Sequence, residues 1–213
     1  MPTFQTTEPI AITVDVLSGN VTVIASDRTD TVVKVQPADA AKKADVHAAE
    51  QTRVDFAAGT LTVKAPKGWR THTPFGTNQS IEVIIEAPTG SGFQATAGEG
   101  RLLATGEVGD CDLQVSAGDI AVERTHGSVT AKTAKGDIHI GEASRGVLRL
   151  ETSMGNLEVG IRPGSTARLE SNTQQGSVQN QLGPVDRSQG GDIVQVFART
   201  SFGNITIGHA TAV

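Results

Sequence analysis

The feature that most constrains this chain is a glycine that returns at an almost fixed step. From Gly100 onward glycines stand at 109, 118, 127, 136, 146, 155 and 164, so the spacing is nine residues throughout except for one step of ten. Most are followed by a small or polar residue and then apolar, polar, apolar: GDIAV at Gly118, GDIHI at Gly136, GNLEV at Gly155, with GNVTV at Gly19, GTLTV at Gly59 and GNITI at Gly203 outside the regular run. Two copies are nearly the same phrase, SMGNLEVG at 153–160 and SFGNITIG at 201–208. A short fixed period is the mark of a repeat architecture.

Such a unit is too short for a helix and its turn, but it holds a strand of four or five residues and a corner. Alternation places Ile138, Ile140, Leu148, Leu150, Leu157, Val159, Ile205 and Ile207 on an inner face and His139, Arg149, Glu158 and Thr206 on an outer one. Burying two aliphatic side chains contributes about 3 to 6 kcal/mol. Ordering nine residues costs on the order of 9 to 18 kcal/mol. A single unit therefore cannot stand alone, and the units are expected to stack and fold together.

The first hundred residues read differently. IAITVDV (10–16), VTVIA (21–25) and TVVKVQ (31–36) predict a meander of alternating strands, with Ser18-Gly19-Asn20 and Asp27–Asp30 as turns. The Ala-rich stretch 37–51, with Pro37 at its head, predicts a short helix. The strands RVDFA, LTVKA and IEVIIEA follow, and residues 66–80 form a loop that carries the only Trp. A stack needs its ends covered, so the reading is one domain over 1–213, with 1–97 as meander, helix and cap and 98–213 as stacked units. No Pro-, Gly- or Ser-rich tract divides it.

Gly is frequent, at 24 residues, while Phe and Trp are few and Tyr is absent, which suits short strands and tight corners rather than a helical bundle. The net charge of −5 argues against a phosphate-backbone or polybasic-membrane partner. No apolar run approaches the ~20 residues of a spanning helix, and the first sixteen residues lack the basic and apolar regions of a signal peptide, so a cytoplasmic chain is expected. The single cysteine, Cys111, falls on the inner face of GDCDLQV and reads as a buried small hydrophobe.

GDIHI, GNLEV and the ending RTSFGNITI, together with ASDRTDTVVKVQPAD, AAEQTRVDF and VKAPKGWR, resemble the bacterial candidate-adhesin domain-of-unknown-function family numbered four-zero-nine-seven, over residues 4–208. The resemblance implies a right-handed parallel β-helix or a related β-solenoid, with no established enzymatic activity. It supplies no catalytic residues to carry over.

A search for chemistry agrees with that. His47, His72, His126, His139 and His209 lack the spacing of a zinc site, and Asp110, Asp119 and Asp137 read as corner-formers rather than calcium ligands. GEGRLLATGEVG lacks the βαβ setting of a dinucleotide fingerprint. The outward slots Thr22, Thr62, Ala121, Thr130, His139, Arg149, Glu158 and Thr206 contain no column of acids such as a polysaccharide-cleaving β-helix would need. One loop gathers anchor-type side chains, Trp69, Arg70, His72 and Phe75, and is the candidate partner-binding segment.

The sequence thus reads as an all-β, parallel β-helix of nine- to ten-residue strand units with an N-terminal cap. The expected role is a non-catalytic interaction or self-assembly scaffold without metal or cofactor, with a protein partner or a second copy as ligand. The alternative is a glycan-binding or glycan-active β-helix.

Overall fold

A computed structural model describes residues 1–66, 79–182 and 192–210. Among the described residues the chain is all-β apart from one short helix, and its strands stack as coils of a solenoid-like body with two parallel sheets. The first regular element shows how. Strand β2 (Ala11–Ser26) runs for 16 residues and passes Gly19 without ending. Its first half pairs in parallel with β5 (Thr60–Lys64) and β7 (Gly92–Glu99) in one sheet, and its second half with β6 (Ile81–Pro88) and β8 (Leu102–Val108) in the other.

The predicted meander over residues 10–36 is therefore corrected. Ser18-Gly19-Asn20 is a corner between sheets, not a hairpin turn, because the inward residues on both sides of it bury against parallel neighbours. Among the described residues antiparallel pairing is confined to the N-terminal cap. β1 (Thr3–Gln5) lies on β3 (Asp30–Pro37), β3 on β6, and β4 (Arg53–Ala57) on β5.

Each later coil repeats the β2 pattern with one strand per sheet. The first sheet takes β9 (Cys111–Ala117), β11 (Val129–Lys135) and β13 (Gly146–Met154); the second takes β10 (Ile120–Thr125), β12 (Ile138–Ala143) and β14 (Leu157–Ile161). Consecutive nine-residue units thus lie on opposite sheets, and a unit stacks on the next but one. Ile138 sits between Ile120 and Leu157, and Ile140 between Val122 and Val159. All six of these side chains are at most 1 % exposed.

Coil order departs from chain order at both ends. The coil of β2 lies between the β5–β6 coil and the β7–β8 coil. At the far end β17 (Ile193–Phe202) and β18 (Ile205–His209) insert between the β13–β14 coil and the last coil, β15 (Thr166–Gln175) with β16 (Val178–Asn180). This explains the duplicated phrase. SMGNLEVG and SFGNITIG are direct neighbours in the stack, in register from Met154 opposite Phe202 to Gly160 opposite Gly208.

The repeated residues bind coil to coil. The glycines at the corner from the first to the second sheet form a column in which Gly155 lies between Gly136 and Gly203 with φ of +154°, a backbone that only glycine adopts without strain. The residue after each glycine reaches onward. Asp119 Oδ1 accepts from Asp137 N–H at 2.9 Å, Asp137 Oδ1 from Asn156 N–H at 2.7 Å, Asn156 Oδ1 from Asn204 N–H at 3.0 Å, and Asn204 Oδ1 from Ser177 N–H at 2.9 Å. Three residues before the glycine, buried threonines donate to the preceding coil: Thr133 to Gly118 O at 3.1 Å, Thr152 to Gly136 O at 3.0 Å and Thr200 to Gly155 O at 3.1 Å. Backbone groups at a corner lie outside the regular ladder, and these side chains satisfy them.

The two ends differ. At the N-terminal end Phe4 of β1 and Phe56 of β4 stack at 5.0 Å between ring centroids. Helix α1 (Lys43–Gln51), inside the predicted 37–51, packs beside β3 and β6. Its buried Asp45 accepts from Ser80 N–H at 3.0 Å and Asp39 N–H at 3.2 Å. Arg28 bonds Asp30 at 2.8 Å and also Glu86, and the guanidinium holds the Asp30 carboxyl below its ordinary range. The far end carries no such cap among the described residues. Its coil turns Leu169, Ser171 and Thr173 inward, beneath Val196, Ala198 and Thr200.

Candidate functional site

Three surfaces could carry function: the corner groove, the outer sheet faces and the terminal coil. The predicted partner-binding loop of Trp69, Arg70, His72 and Phe75 lies outside the described residues.

The groove runs along the corners where each coil returns from the second sheet to the first, and Pro9, Glu107, Asp110, His126 and Arg145 line it. Successive coils there present an acid, a histidine and a serine. His126 Nε2 is 2.8 Å from Glu107 Oε1, and Nδ1 is 2.7 Å from Ser144 Oγ. Nε2–H donates to the Glu107 carboxylate, and Nδ1 shares a hydrogen bond with the Ser144 hydroxyl whose donor depends on the form of the ring. The set has the acid–histidine–serine order of a hydrolase triad.

Access decides against that chemistry. Ser144 is 2 % exposed, and its hydroxyl also lies 3.3 Å from the Thr125 carbonyl, so an acyl carbon cannot reach Oγ. Arg145 Nε meanwhile donates to the His126 carbonyl at 3.0 Å. The group is a clasp across three coils. The sequence analysis weighs His126 only as a zinc ligand and finds no zinc spacing around it. The signal that could have found it is spacing, since Glu107 to His126 and His126 to Ser144 are separated by 19 and 18 residues, one coil each.

The aspartates read as corner-formers act between coils. Asp110 Oδ1 accepts from Ser128 N–H at 2.7 Å, and Asp119 and Asp137 belong to the ladder described above. One oxygen of each carboxylate is thereby committed to backbone. Among the described residues no group of three or more His, Cys, Asp or Glu side chains is placed to hold a metal ion. Cys111 is 4 % exposed. Burial first, and the Asp110 charge after it, push its thiol up to about 12, so the nucleophilic thiolate is scarce at neutral pH.

The outer faces carry isolated pairs. His139 Nδ1 lies 3.1 Å from Glu158 Oε2 on the second sheet. On the first, Lys132 is 3.6 Å from Glu151 and the Arg149 guanidinium sits 5.4 Å from the Phe197 ring centroid. The outward slots predicted as one series divide between the sheets, with Thr22, Ala121, His139, Glu158 and Thr206 on the second and Thr62, Thr130 and Arg149 on the first. Exposed pairs of this kind contribute about 0 to 1 kcal/mol each.

On the terminal coil, β15 offers a ten-residue edge that no strand covers among the described residues. Exposed large apolar side chains also gather toward this end, with Met154, Val178, Ile193 and Phe202 between 44 % and 54 % exposed. No described helix is long and apolar enough to cross a membrane.

Glycine-cornered parallel coils with polar ladders define a β-solenoid-like repeat protein. Within that class the chain belongs to the Toastrack DUF4097 family, whose model matches residues 12–208. No curated protein matches the sequence. Among solved structures, a candidate cell adhesion protein from Clostridium sporogenes is 9 % identical, with 98 % of each chain covered and a TM-score of 0.53, and it shows the same fold. A candidate adhesin from Bacteroides fragilis is 12 % identical over 97 % of this chain and 95 % of that one, at a TM-score of 0.44.

Proposed function

We propose that this protein is a non-catalytic interaction scaffold of the adhesin-like kind that assembles with further copies of itself. The observation that supports it most is where the chemistry-bearing side chains go. Glu107, His126 and Ser144, and the Asp and Asn residues of the corners, are engaged in bonds between coils, and Ser144, the partner of His126, is buried. Among the described residues, the backbone left without a neighbouring strand includes the edge of the last coil. The reading includes right-handed winding of the coils, which the handedness preference of crossovers between parallel strands supports.

A panel of chromogenic ester and glycoside substrates, run with the wild type and with His126→Ala, tests the non-catalytic part. The expected outcome is no turnover above buffer by either protein. Turnover by the wild type that His126→Ala removes would assign the groove to catalysis and end this reading. Sedimentation velocity over a concentration series tests the self-association part.

A further inference from the structure

We infer that two copies join tail to tail through β15, paired antiparallel with itself about Leu169. The inference rests on the self-association reading above and names the surface, the partner and the register. Side chains that turn inward in the first sheet direct their N–H groups onward along the stack, as Phe93 donates to Asp110 O at 2.9 Å and Cys111 to Ser128 O at 2.8 Å. Thr166 of β15, an outward position, instead donates back to Asp192 O at 2.9 Å. The register from Thr166 to Thr173 is unbroken, so Ala167, Leu169 and Ser171 turn both backbone groups to the uncovered edge.

An antiparallel pair of β15 strands centred on Leu169 makes Leu169 opposite Leu169, and Ala167 opposite Ser171, hydrogen-bonded pairs. These exchange about six backbone bonds. The same register sets the outward Arg168 of each copy opposite Glu170 of the other, twice by symmetry. Both side chains are exposed, and neither has an ion-pair partner among the described residues. Centres at Ala167 or Ser171 set neither charge opposite its complement. A twofold contact closes on itself and is the commonest form of self-association. At the opposite end the edge strand of the second sheet is the three-residue β1 on β3, with α1 beside β3, so that sheet offers less strand for pairing there than β15 does at the far end.

A head-to-tail joint is the competing geometry, because Arg53 and Asp55 of β4 could also face Glu170 and Arg168. Charge reversal separates the two. Sedimentation velocity and light scattering on the full chain, up to ~100 μM, are expected to give a species of twice the 22.1 kDa chain mass. Arg168→Glu and Glu170→Arg each place like charges opposite and weaken the dimer by about tenfold or more. Combining the two substitutions restores it, since both sides of the pair are reversed together. Circular dichroism confirms that the variants fold, and the sites are exposed enough for that to hold.

A double variant weaker than either single one would overturn the tail-to-tail dimer in favour of head-to-tail contact with β4. A wild-type dimer indifferent to both charge reversals would overturn the β15 surface and leave self-association standing. A wild type that stays monomeric throughout would overturn both.

Discussion

Gly118→Ala is expected to cost more than about 3 kcal/mol or to prevent folding outright, read as a lowered urea midpoint or loss of soluble protein. An alanine Cβ there would stand 1.7 Å from the Gly100 carbonyl oxygen, at a φ of +144°. Neither strand can retreat. Gly118 N–H bonds Lys135 O at 2.8 Å, Ile120 N–H bonds Asp137 O at 2.9 Å, and Thr133 donates to the Gly118 carbonyl. On the other side Gly100 N–H bonds Ala117 O and Leu102 N–H bonds Asp119 O, each at 3.0 Å, so relief at one corner would break bonds to the coils on both sides. Gly164→Ala is the control. Its φ of +91° also favours glycine, but no atom lies within 4 Å of the added methyl, so about 1 to 2 kcal/mol is expected. Equal midpoints for the two variants would mean that the corners are not in contact.

The second large effect concerns the core. Leu113→Ala is expected to cost about 4 kcal/mol, near the upper end of the range for a buried leucine, and to lower Tm by roughly 10 °C. Leu113 is fully buried between Ala95 of β7 and Ala131 of β11 in register. Neither methyl can move to fill the space, because the interval between coils is fixed by backbone hydrogen bonds. The column alternates large and small, and removing a large member leaves a cavity instead of a collapse. Leu169→Ala, on the partly buried terminal coil, is expected to cost about 1 kcal/mol or less in the monomer, at protein concentrations low enough to keep the chain unpaired. Thermal and urea melts of both variants would show whether burial falls toward the far end.

What the residues disclosed in advance was the local part of this arrangement. Period-two alternation placed Ile138, Ile140, Leu157, Val159, Ile205 and Ile207 inward, and each is buried. The glycine corners, the buried Cys111 and the short helix were legible because each depends on a few adjacent residues. The pairing partners were not. A step of nine gives half a coil, and only the separations of 18 and 19 between hydrogen-bonded residues reveal that alternate units stack. Residues 10–36 suggested hairpins because a strand that bends at Gly19 has the same short-range pattern as two strands joined by a turn. Insertion of β17 and β18 before the last coil leaves no local trace. Its one sign is the matching of SMGNLEVG to SFGNITIG, which is matching between neighbours in space.

The insertion of β17 and β18 before the last coil can be tested by cross-linking. Met154 and Phe202 are adjacent, outward-facing and in register, whereas Gln175 lies one strand further on beside Phe202. Neighbouring strands are about 4.8 Å apart, within reach of a disulfide, and next-but-one strands about 9.6 Å, beyond it. Paired cysteines in place of Met154 and Phe202 should cross-link on mild oxidation, as seen in non-reducing gels and mass spectra, and cysteines in place of Met154 and Gln175 should not. Cross-linking of the second pair in the monomer, with none in the first, would mean that the coils follow chain order and would contradict the stack described above.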